Sequence, residues 1–400
     1  MSDLNNRGKA ARKDAVHGLA AWTYNNPELL ELEYERLILG TWQVACHMND
    51  VAEPGDYTTF DLMRDSIIIL RDKDGTVRAF QNVCRHRGAR LLDGSGTLTS
   101  RLLCPYHGWA YRLNGELAGV PAEATFPGLD KSCHGLTEVE VEVFLGFVFV
   151  RVAGDGPSLA EMWGDYAERI APYRPEEMVR VRPLMVQEWA CDWKTAVDNN
   201  QENYHIPVGH PGYHRMLENG MNGFGNEFGV GGSVSRHKSR PSPNWVERGY
   251  QELAPKVLTH LPDEKRVTWQ FFSMLPNHGI DVYPDSIDFF QILPLGPGRC
   301  QVRLALYGLA DDRREMAVLR YLNDRINRQV LAEDRWLSER VQRGLMSHGY
   351  RPGPLSVYED GVRELHDMVQ AACPVAGLER APAPGTLAQV DREMAERVSA

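Results

Sequence analysis

Two short segments of the sequence each place a cysteine close to a histidine. They read Cys84-Arg-His86 and Cys104-Pro-Tyr-His107, and 17 residues lie between them. Each pair is predicted at the tip of a loop between β-strands. Thiolate and imidazole are ligands that bind zinc, copper and iron. The two segments therefore predict one metal centre assembled from both loops.

Two kinds of metal centre use two cysteines and two histidines. In a Rieske [2Fe–2S] cluster, two thiolates hold one iron and two imidazoles hold the other, which raises the reduction potential. A tetrahedral zinc site is the alternative, but zinc fingers usually group cysteines with cysteines and histidines with histidines. Each segment here is mixed, so we favour the cluster. Its raised potential suits it to accept an electron from a reductase.

A second set of possible metal ligands lies further along the chain. His205 and His210 are five residues apart, and Pro207 between them is expected to end a helix, so both rings can turn toward one metal. Two histidines and one carboxylate form the facial triad of non-haem Fe(II), which leaves positions open for O₂. Histidine pairs at this spacing are often structural, and the upstream cluster is what favours iron. Spacing alone does not identify the third ligand, an acid.

The bulk composition limits the class of protein. The chain has 400 residues, of which 43% are hydrophobic and 24% charged, and its formal net charge is −10. This composition is typical of a globular protein, and the acidity argues against a nucleic-acid partner. The seven cysteines are too sparse for a disulfide scaffold. The N-terminus has no apolar core of a signal peptide, and no apolar run reaches the length of a membrane span. We therefore expect a soluble, cytoplasmic protein.

The pattern of secondary structure changes near residues 154–157. Before this point we predict helices over 1–40 and then β structure, with strands starting at 41, 66 and 141 and hairpin turns at residues 74–75 and 114–115. After it we predict helices over 158–171, 188–205 and 311–346, a loop over 218–245, and strands over 267–275, 286–293 and 300–309. The fold class is α+β. The expected domains are 41–153 around the cluster and 1–40 with 154–400 around the iron, the latter with an antiparallel sheet covered by helices.

Together these residues resemble the catalytic α subunits of Rieske non-haem iron oxygenases, over nearly the whole chain. The resemblance implies an N-terminal Rieske β domain and a C-terminal helix-grip catalytic domain. By position it implies a [2Fe–2S] cluster and a mononuclear Fe(II), whose ligands would be Cys84, His86, Cys104 and His107 for the cluster and His205, His210 and Asp334 for the iron. The Asp334 match rests on the context Glu-Asp…Val-Gln-Arg-Gly, and Glu333 and Glu339 are the next acids in line.

The same resemblance implies partners and an electron path. The subunit would form a homotrimer in which the cluster of one copy reduces the iron of its neighbour through His107 and Glu202. A separate NAD(P)H-dependent flavin or iron–sulfur reductase would supply the electrons, and O₂ would be the oxidant. A Rieske electron carrier without catalysis is the alternative from another class. Such a carrier needs only about a hundred residues, which would leave the downstream histidine pair unexplained.

Glu202 departs from the common pattern of the family. The acid three residues before the first iron histidine is usually Asp in ring-hydroxylating members. Glutamate there resembles the branch that acts on quaternary ammonium compounds, namely carnitine, glycine betaine and proline betaine. It implies either N-demethylation of a betaine-like quaternary ammonium compound, with release of formaldehyde, or its hydroxylation. If the exchange of Glu for Asp is neutral, an aromatic-ring hydroxylating dioxygenase or an aromatic O-demethylase stays open.

A betaine-like substrate would need a particular kind of pocket. A quaternary ammonium ion cannot donate hydrogen bonds, so aromatic faces are its expected partners. The substrate carboxylate would bind polar donors in the loop 218–236 or His214. The aromatic candidates in the catalytic domain are Tyr204, Tyr213, Phe224, Phe228, Trp269, Phe271 and Phe289.

Overall fold

The computed structural model describes residues 17–218 and 223–399. They form two compact units. One spans Leu39–Val181, and the other combines the described residues up to Ile38 with those from Arg182 onward. Within the described residues, no helix has both the length and the apolar character that crossing a membrane requires. Part of the predicted helical region 1–40 lies outside the described residues. Within the predicted region, the Asn26 side chain accepts a hydrogen bond from the Leu29 amide and caps the helix Pro27–Glu33.

The unit Leu39–Val181 contains two antiparallel sheets. The larger one orders its strands as Gln43–His47, Phe147–Arg151, Glu138–Phe144, Val77–Gln81, Asp65–Arg71, Asp56–Leu62 and Ser95–Thr97. The smaller one consists of Arg101–Leu103, Ala110–Arg112 and Leu117–Gly119. Short α-helices follow at Leu159–Trp163 and Ala167–Ile170.

The predicted hairpin turns of this unit are present. Gly75 and Gly115 have φ of +86° and +85°, a region that favours glycine. The β segment predicted from residue 141 is two strands, because Leu145 and Gly146 both have positive φ and reverse the chain. The segment 154–181 packs within this unit, where the rings of Trp163 and Phe144 are 5.8 Å apart. The expected division into functional domains at 153 stays a prediction.

The second unit is an antiparallel sheet covered by helices, and its α+β class is confirmed. Its strands follow in the spatial order Met185–Trp189, Arg299–Gly308, Ser286–Gly296, His278–Tyr283, Thr268–Met274, Val230–Arg236 and Phe224–Gly225. Its α-helices are Pro27–Glu33, Trp193–Asn200, Ile206–Gly209, Pro211–Met216, Trp245–Val257, Arg314–Leu345, Asp360–Ala372 and Leu387–Ser399. We refer to Arg314–Leu345 as the long helix.

Two predictions of secondary structure in this unit were wrong, and one strand was missed. The predicted helix over 188–205 begins as a strand, and its helical part ends at Asn200. The predicted loop over 218–245 contains the strand Val230–Arg236 and the start of the helix Trp245–Val257; its residues 219–222 lie outside the described residues. The strand His278–Tyr283 was not predicted.

Tertiary packing explains the strand in the predicted loop. A Cβ atom on Gly231 would lie 2.7 Å from the carbonyl oxygen of Phe224, and one on Gly232 would lie 2.0 Å from that of Phe271. Both neighbours belong to adjacent strands. Glycine therefore permits a close approach of three strands here, although its intrinsic preference is against strands.

Candidate metal centres

The two predicted cluster loops share one backbone design. The Gly88 amide donates a hydrogen bond to the Cys84 carbonyl, and the Gly108 amide donates one to the Cys104 carbonyl, each at 3.0 Å. Both glycines have positive φ, at +74° and +72°. The glycine after each Cys/His pair thus lets each loop turn back on its own cysteine.

All four predicted cluster ligands lie together at these loops. The ring centroids of His86 and His107 are 4.7 Å apart. The thiols of Cys84 and Cys104 are within hydrogen-bonding reach of each other. Both cysteines are buried, whereas His107 is exposed. Trp109 stacks on the His86 ring with a centroid distance of 4.9 Å and fixes its plane.

The polar atoms at these loops suit a [2Fe–2S] group. Nδ1 of His86 is buried and has no hydrogen-bond partner among the described residues, as expected for an atom reserved for a metal. Burial raises the pKa of Cys104, but backbone amides of its own loop outweigh this effect and lower the pKa. The Tyr111 hydroxyl lies 3.3 Å from Sγ of Cys84. Groups that donate hydrogen bonds to sulfur stabilise thiolate.

The predicted iron ligands also converge, although Asp334 belongs to the long helix. The Nε2 atoms of His205 and His210 are 3.0 Å apart. Oδ1 of Asp334 lies 2.8 Å from Nε2 of His210 and 3.7 Å from Nε2 of His205. Ligand atoms about 2.1 Å from one metal and at right angles are about 3 Å apart. The three side chains therefore fit a single ion.

Short helices position the two histidines. His205 immediately precedes the helix Ile206–Gly209, and His210 lies between that helix and Pro211–Met216. Each helix carries proline in its first turn, where no intrahelical hydrogen bond is lost. Pro207 therefore helps to start a helix after His205 instead of ending one, which corrects its predicted role.

A carboxylate faces the far nitrogen of each histidine. Oε1 of Glu202 lies 2.5 Å from Nδ1 of His205, and Oε2 of Glu333 lies 2.9 Å from Nδ1 of His210. The other oxygen of Glu202 accepts from the backbone amides of Tyr204 and His205. These contacts aim both Nε2 atoms at Asp334, as outer carboxylates do at metal sites.

The two other acids considered as iron ligands have different roles. Glu333 faces the outer nitrogen of His210, and its second oxygen accepts from Gln329 at 2.9 Å. Glu339 pairs with Arg335 at 2.9 Å. Neither belongs to the group of ligand atoms that lie within 4.8 Å of one another, which contains Asp334.

The electrostatics of the triad suit the binding of a cation. Burial lowers the pKa of His205, but the hydrogen bonds with Asp334 and Glu202 outweigh burial and raise it to about 9. The pKa of His210 is raised for the same kind of reason. Burial alone would raise the pKa of Asp334, but the two imidazoles hold it below its usual value. The site thus concentrates negative charge around two nitrogen ligands.

The comparisons with known proteins identify the chain. Residues 41–139 match the model of the Rieske [2Fe–2S] domain. Residues 170–374, just over half of the chain, match the model of the ring hydroxylating alpha subunit (catalytic domain). The chain belongs to this family.

As a Rieske oxygenase α subunit it is an enzyme that carries a [2Fe–2S] cluster and a mononuclear iron site, and family members take electrons from a separate reductase and use O₂. The zinc and electron-carrier alternatives are therefore wrong.

Several relatives of this α subunit are known. It is 28% identical over 339 residues to the carnitine monooxygenase oxygenase subunit of Acinetobacter pittii, covering 83% of this chain and 87% of the relative. It is 27% identical over 386 residues to the glycine betaine monooxygenase oxygenase subunit of Chromohalobacter salexigens, and the match covers 89% of this chain and 86% of the relative. A solved quaternary ammonium Rieske monooxygenase shares its fold with a TM-score of 0.76 and 25% identity, covering 90% of this chain and 96% of that one.

One side of the iron triad of this α subunit is aromatic. The ring of Tyr213 lies 5.9 Å from that of His210, centroid to centroid. Tyr213 also meets Trp269 at 5.5 Å and Phe271 at 6.1 Å, and Tyr283 lies 4.7 Å from Trp269. Three of these rings come from neighbouring strands of one sheet, on the side that faces Tyr213.

The other predicted pocket aromatics lie elsewhere. Phe289 belongs to the opposite side of the sheet and stacks on Tyr307. Phe224 packs against Phe272, which also points to that opposite side. Tyr204 and Phe228 are exposed. Of the seven predicted aromatics, Tyr213 therefore contacts His210 of the triad, and Trp269 and Phe271 contact Tyr213.

The sequence interpretation missed two acids near these rings. Asp281 and Asp288 are directly opposite each other on adjacent strands, in the same cross-strand row as Phe271. Asp288 is buried within the apolar run Ile287-Asp-Phe-Phe290. A single acid inside such a run was the available signal, because an unpaired buried charge is costly and is retained for a reason.

Proposed function

We propose that this α subunit oxidises an N-methyl group of a small quaternary ammonium compound. The observation that supports this most directly is the contact between Tyr213 and His210, because Tyr213 belongs to an aromatic cluster with Trp269, Phe271 and Tyr283. A cation on an aromatic face gains about 0.5–2 kcal/mol per ring, depending on desolvation. The relatives named for carnitine and glycine betaine support the same substrate class.

The overall reaction follows from this assignment. A methyl group on nitrogen, O₂, two electrons and two protons give an N–CH₂OH group and water. The N–CH₂OH group then breaks its N–C bond to release formaldehyde, and the nitrogen keeps the electron pair while the hydroxyl proton leaves. The product is a tertiary amine with one methyl group fewer. The reductase supplies both electrons.

The proposed metal ligands form two centres, the [2Fe–2S] cluster and the mononuclear iron. Cys84, Cys104, His86 and His107 would hold the cluster, and His205, His210 and Asp334 would hold the iron. When bound, the cluster supplies single electrons and the mononuclear iron supplies open positions for O₂. The chain itself orients the ligands: Glu202 and Glu333 keep the Nδ1 atoms occupied, so that both Nε2 atoms face Asp334.

A homotrimer would bring the two kinds of centre together. Around Glu202 the surface exposes Tyr204 and Val208, the latter 90% exposed. Beside the cluster ligands, Leu103 and Tyr106 are each 61% exposed. Large exposed apolar side chains next to both sites favour burial of one against the other between copies. In this arrangement Glu202 lies between His107 of one copy and His205 of the next.

Turnover with defined substrates tests the proposal. The holoenzyme with a competent reductase and NADH is given carnitine, glycine betaine, proline betaine and a panel of aromatic acids. The expected result is formaldehyde release in proportion to NADH use with at least one quaternary compound. Hydroxylation of an aromatic acid without formaldehyde from any quaternary compound would refute the proposal and favour the aromatic-ring hydroxylase.

A further inference from the structure

The sheet beside the iron triad carries an acid pair that the metal sites do not use. Asp281 and Asp288 are a directly opposed cross-strand pair, and such pairs place their Cβ atoms about 5 Å apart on one side of the sheet. Phe271 occupies the next position in the same row. Asp288 is only 1% exposed, and Asp281 is partly buried.

The partners of this acid pair are incomplete. Oδ2 of Asp281 accepts a hydrogen bond from the Tyr283 hydroxyl at 3.3 Å. The Asp288 carboxyl group forms hydrogen bonds with the Tyr283 side chain and the Asp281 backbone, but its Oδ1 is buried without any hydrogen-bond partner in the described part of the chain. Neither carboxylate forms an ion pair with a Lys or Arg of residues 17–218 or 223–399. Burial of two carboxyl groups without a counter-ion favours their protonated form, and a bound cation would favour the ionised form instead.

The acid pair and the iron triad face the same aromatic residue. Tyr213 lies against His210 of the triad and against Phe271 of the acid row. The pair is therefore close to the place where a substrate would meet the iron.

The carboxylates of Asp281, Asp288 and Asp334 repel one another when they are ionised. Burial raises the pKa of Asp281 to about 7, and the Asp334 carboxylate adds to this effect. Burial followed by the charge of Asp281 raises the pKa of Asp288 well above its usual value. A cation between the rings and the carboxylates would relieve this repulsion.

We propose that Asp281 and Asp288 are the charge-selective element of the substrate site and bind the cationic head of the substrate beside the rings of Tyr213, Phe271 and Tyr283. This inference rests on the proposed function and extends it. Aromatic rings alone also accept an uncharged group of the same shape by burying it. A carboxylate pair distinguishes the cationic group from the uncharged group, because only the cation is attracted to the carboxylates by Coulomb energy.

The test compares a cation with its uncharged isostere. Choline and 3,3-dimethylbutan-1-ol differ by one atom, since carbon replaces the ammonium nitrogen. Their dissociation constants are measured by calorimetry on the metal-loaded holoenzyme without reductase, so that no turnover occurs. The wild-type protein should prefer choline at least tenfold, and Asp281→Asn/Asp288→Asn should lose about 10- to 100-fold of choline affinity while the isostere binds as before.

Matched variants separate recognition from packing. Asp285 is buried in the turn between the strands His278–Tyr283 and Ser286–Gly296, but its carboxylate accepts from Tyr250 at 2.6 Å and Asn323 at 2.8 Å. Asp285→Asn should leave the ratio of choline to isostere affinity unchanged. If the double variant does not fold, Asp281→Asn alone should lower the same ratio, by less.

Three outcomes would overturn the inference. The first is that the wild-type protein binds choline and the isostere equally well, or binds neither detectably. The second is that the ratio of choline to isostere affinity is unchanged in the acid-pair variants. The third is that these variants lose the same factor of affinity for both compounds. These outcomes are distinguishable from failure of the proposed function, because formaldehyde release is measured separately. A protein that demethylates a quaternary compound but keeps its selectivity without the acid pair would retain the function and lose this inference.

Discussion

Replacing Glu202 with glutamine tests how this carboxylate orients His205, a proposed ligand of the iron. Glu202 accepts three hydrogen bonds with two oxygens: one faces Nδ1 of His205, and the other faces the backbone amides of Tyr204 and His205. Glutamine has only one acceptor oxygen, and its other end donates. In Glu202→Gln, either the ring nitrogen or the two backbone amides must face an NH₂ group.

The size of the effect follows from this mismatch. A buried donor without an acceptor costs about 1–3 kcal/mol, which corresponds to about 5- to 150-fold in an equilibrium constant. Loss of an outer partner of a metal-binding histidine typically weakens metal binding about 10- to 100-fold. We therefore expect Glu202→Gln to bind Fe(II) about 10- to 100-fold more weakly. The [2Fe–2S] spectrum should be retained, since Glu202 is not among the proposed cluster ligands.

Glu333→Gln is the matched control. Glu333 accepts from Nδ1 of His210 with one oxygen and from the Gln329 side chain with the other. A glutamine can keep its oxygen on His210, and the Gln329 amide can rotate to offer its own oxygen to the new NH₂ group. The same chemical change should therefore cost less than about tenfold in iron affinity at position 333.

Equilibrium dialysis against buffered Fe(II), with iron counted per chain, measures both variants. Wild-type-like iron affinity in Glu202→Gln, or an equal loss in the two variants, would refute the reasoning from acceptor number. With iron saturating, single-turnover reduction then tests the bridge between subunits: we expect slower electron transfer in Glu202→Gln. A wild-type rate would show that the charge of Glu202 is not needed for transfer.

Three further predictions concern the cluster, the third iron ligand and the response to acid. Cys84→Ser or His107→Ala should abolish the visible [2Fe–2S] spectrum and turnover, and an intact spectrum in either would contradict the ligand assignment. Asp334→Ala should reduce the iron content from three to two atoms per chain with the spectrum retained, and full iron occupancy would point to another acid. Burial lowers the pKa of His278 to about 3 from an ordinary 6.5, so the unfolded chain binds a proton below pH 6.5 that the folded chain excludes. The free energy of unfolding should therefore fall by about 1.4 kcal/mol per pH unit from this group between about pH 6 and 4. His278→Gln should remove that slope in urea unfolding followed by tryptophan fluorescence, and an unchanged slope would show that the imidazole does not cause it.

The sequence by itself determined most of the metal chemistry, because the ligands come in short local sets. The pairs Cys84/His86 and Cys104/His107 each lie in one loop, and the glycine that closes each loop follows in the sequence. His205 and His210 are likewise close in the chain, so spacing predicted that they could share a metal. The alternation and turn signals of 41–153 also predicted β structure, since hairpin turns are local.

The tertiary structure decided what depends on residues that are distant in the chain. Asp334 is one of several acids on a charged helix, and only packing of the long helix places it beside both histidines. The strand Val230–Arg236 exists because neighbouring strands approach its glycines, which no local propensity indicates. The acid pair Asp281/Asp288 depends on cross-strand register, and the selection of Trp269 and Phe271 over Phe289 depends on which side of the sheet each ring occupies. Strand register and the side of the sheet on which each side chain lies are set by burial of the whole sheet. They therefore cannot be predicted from any single stretch of sequence.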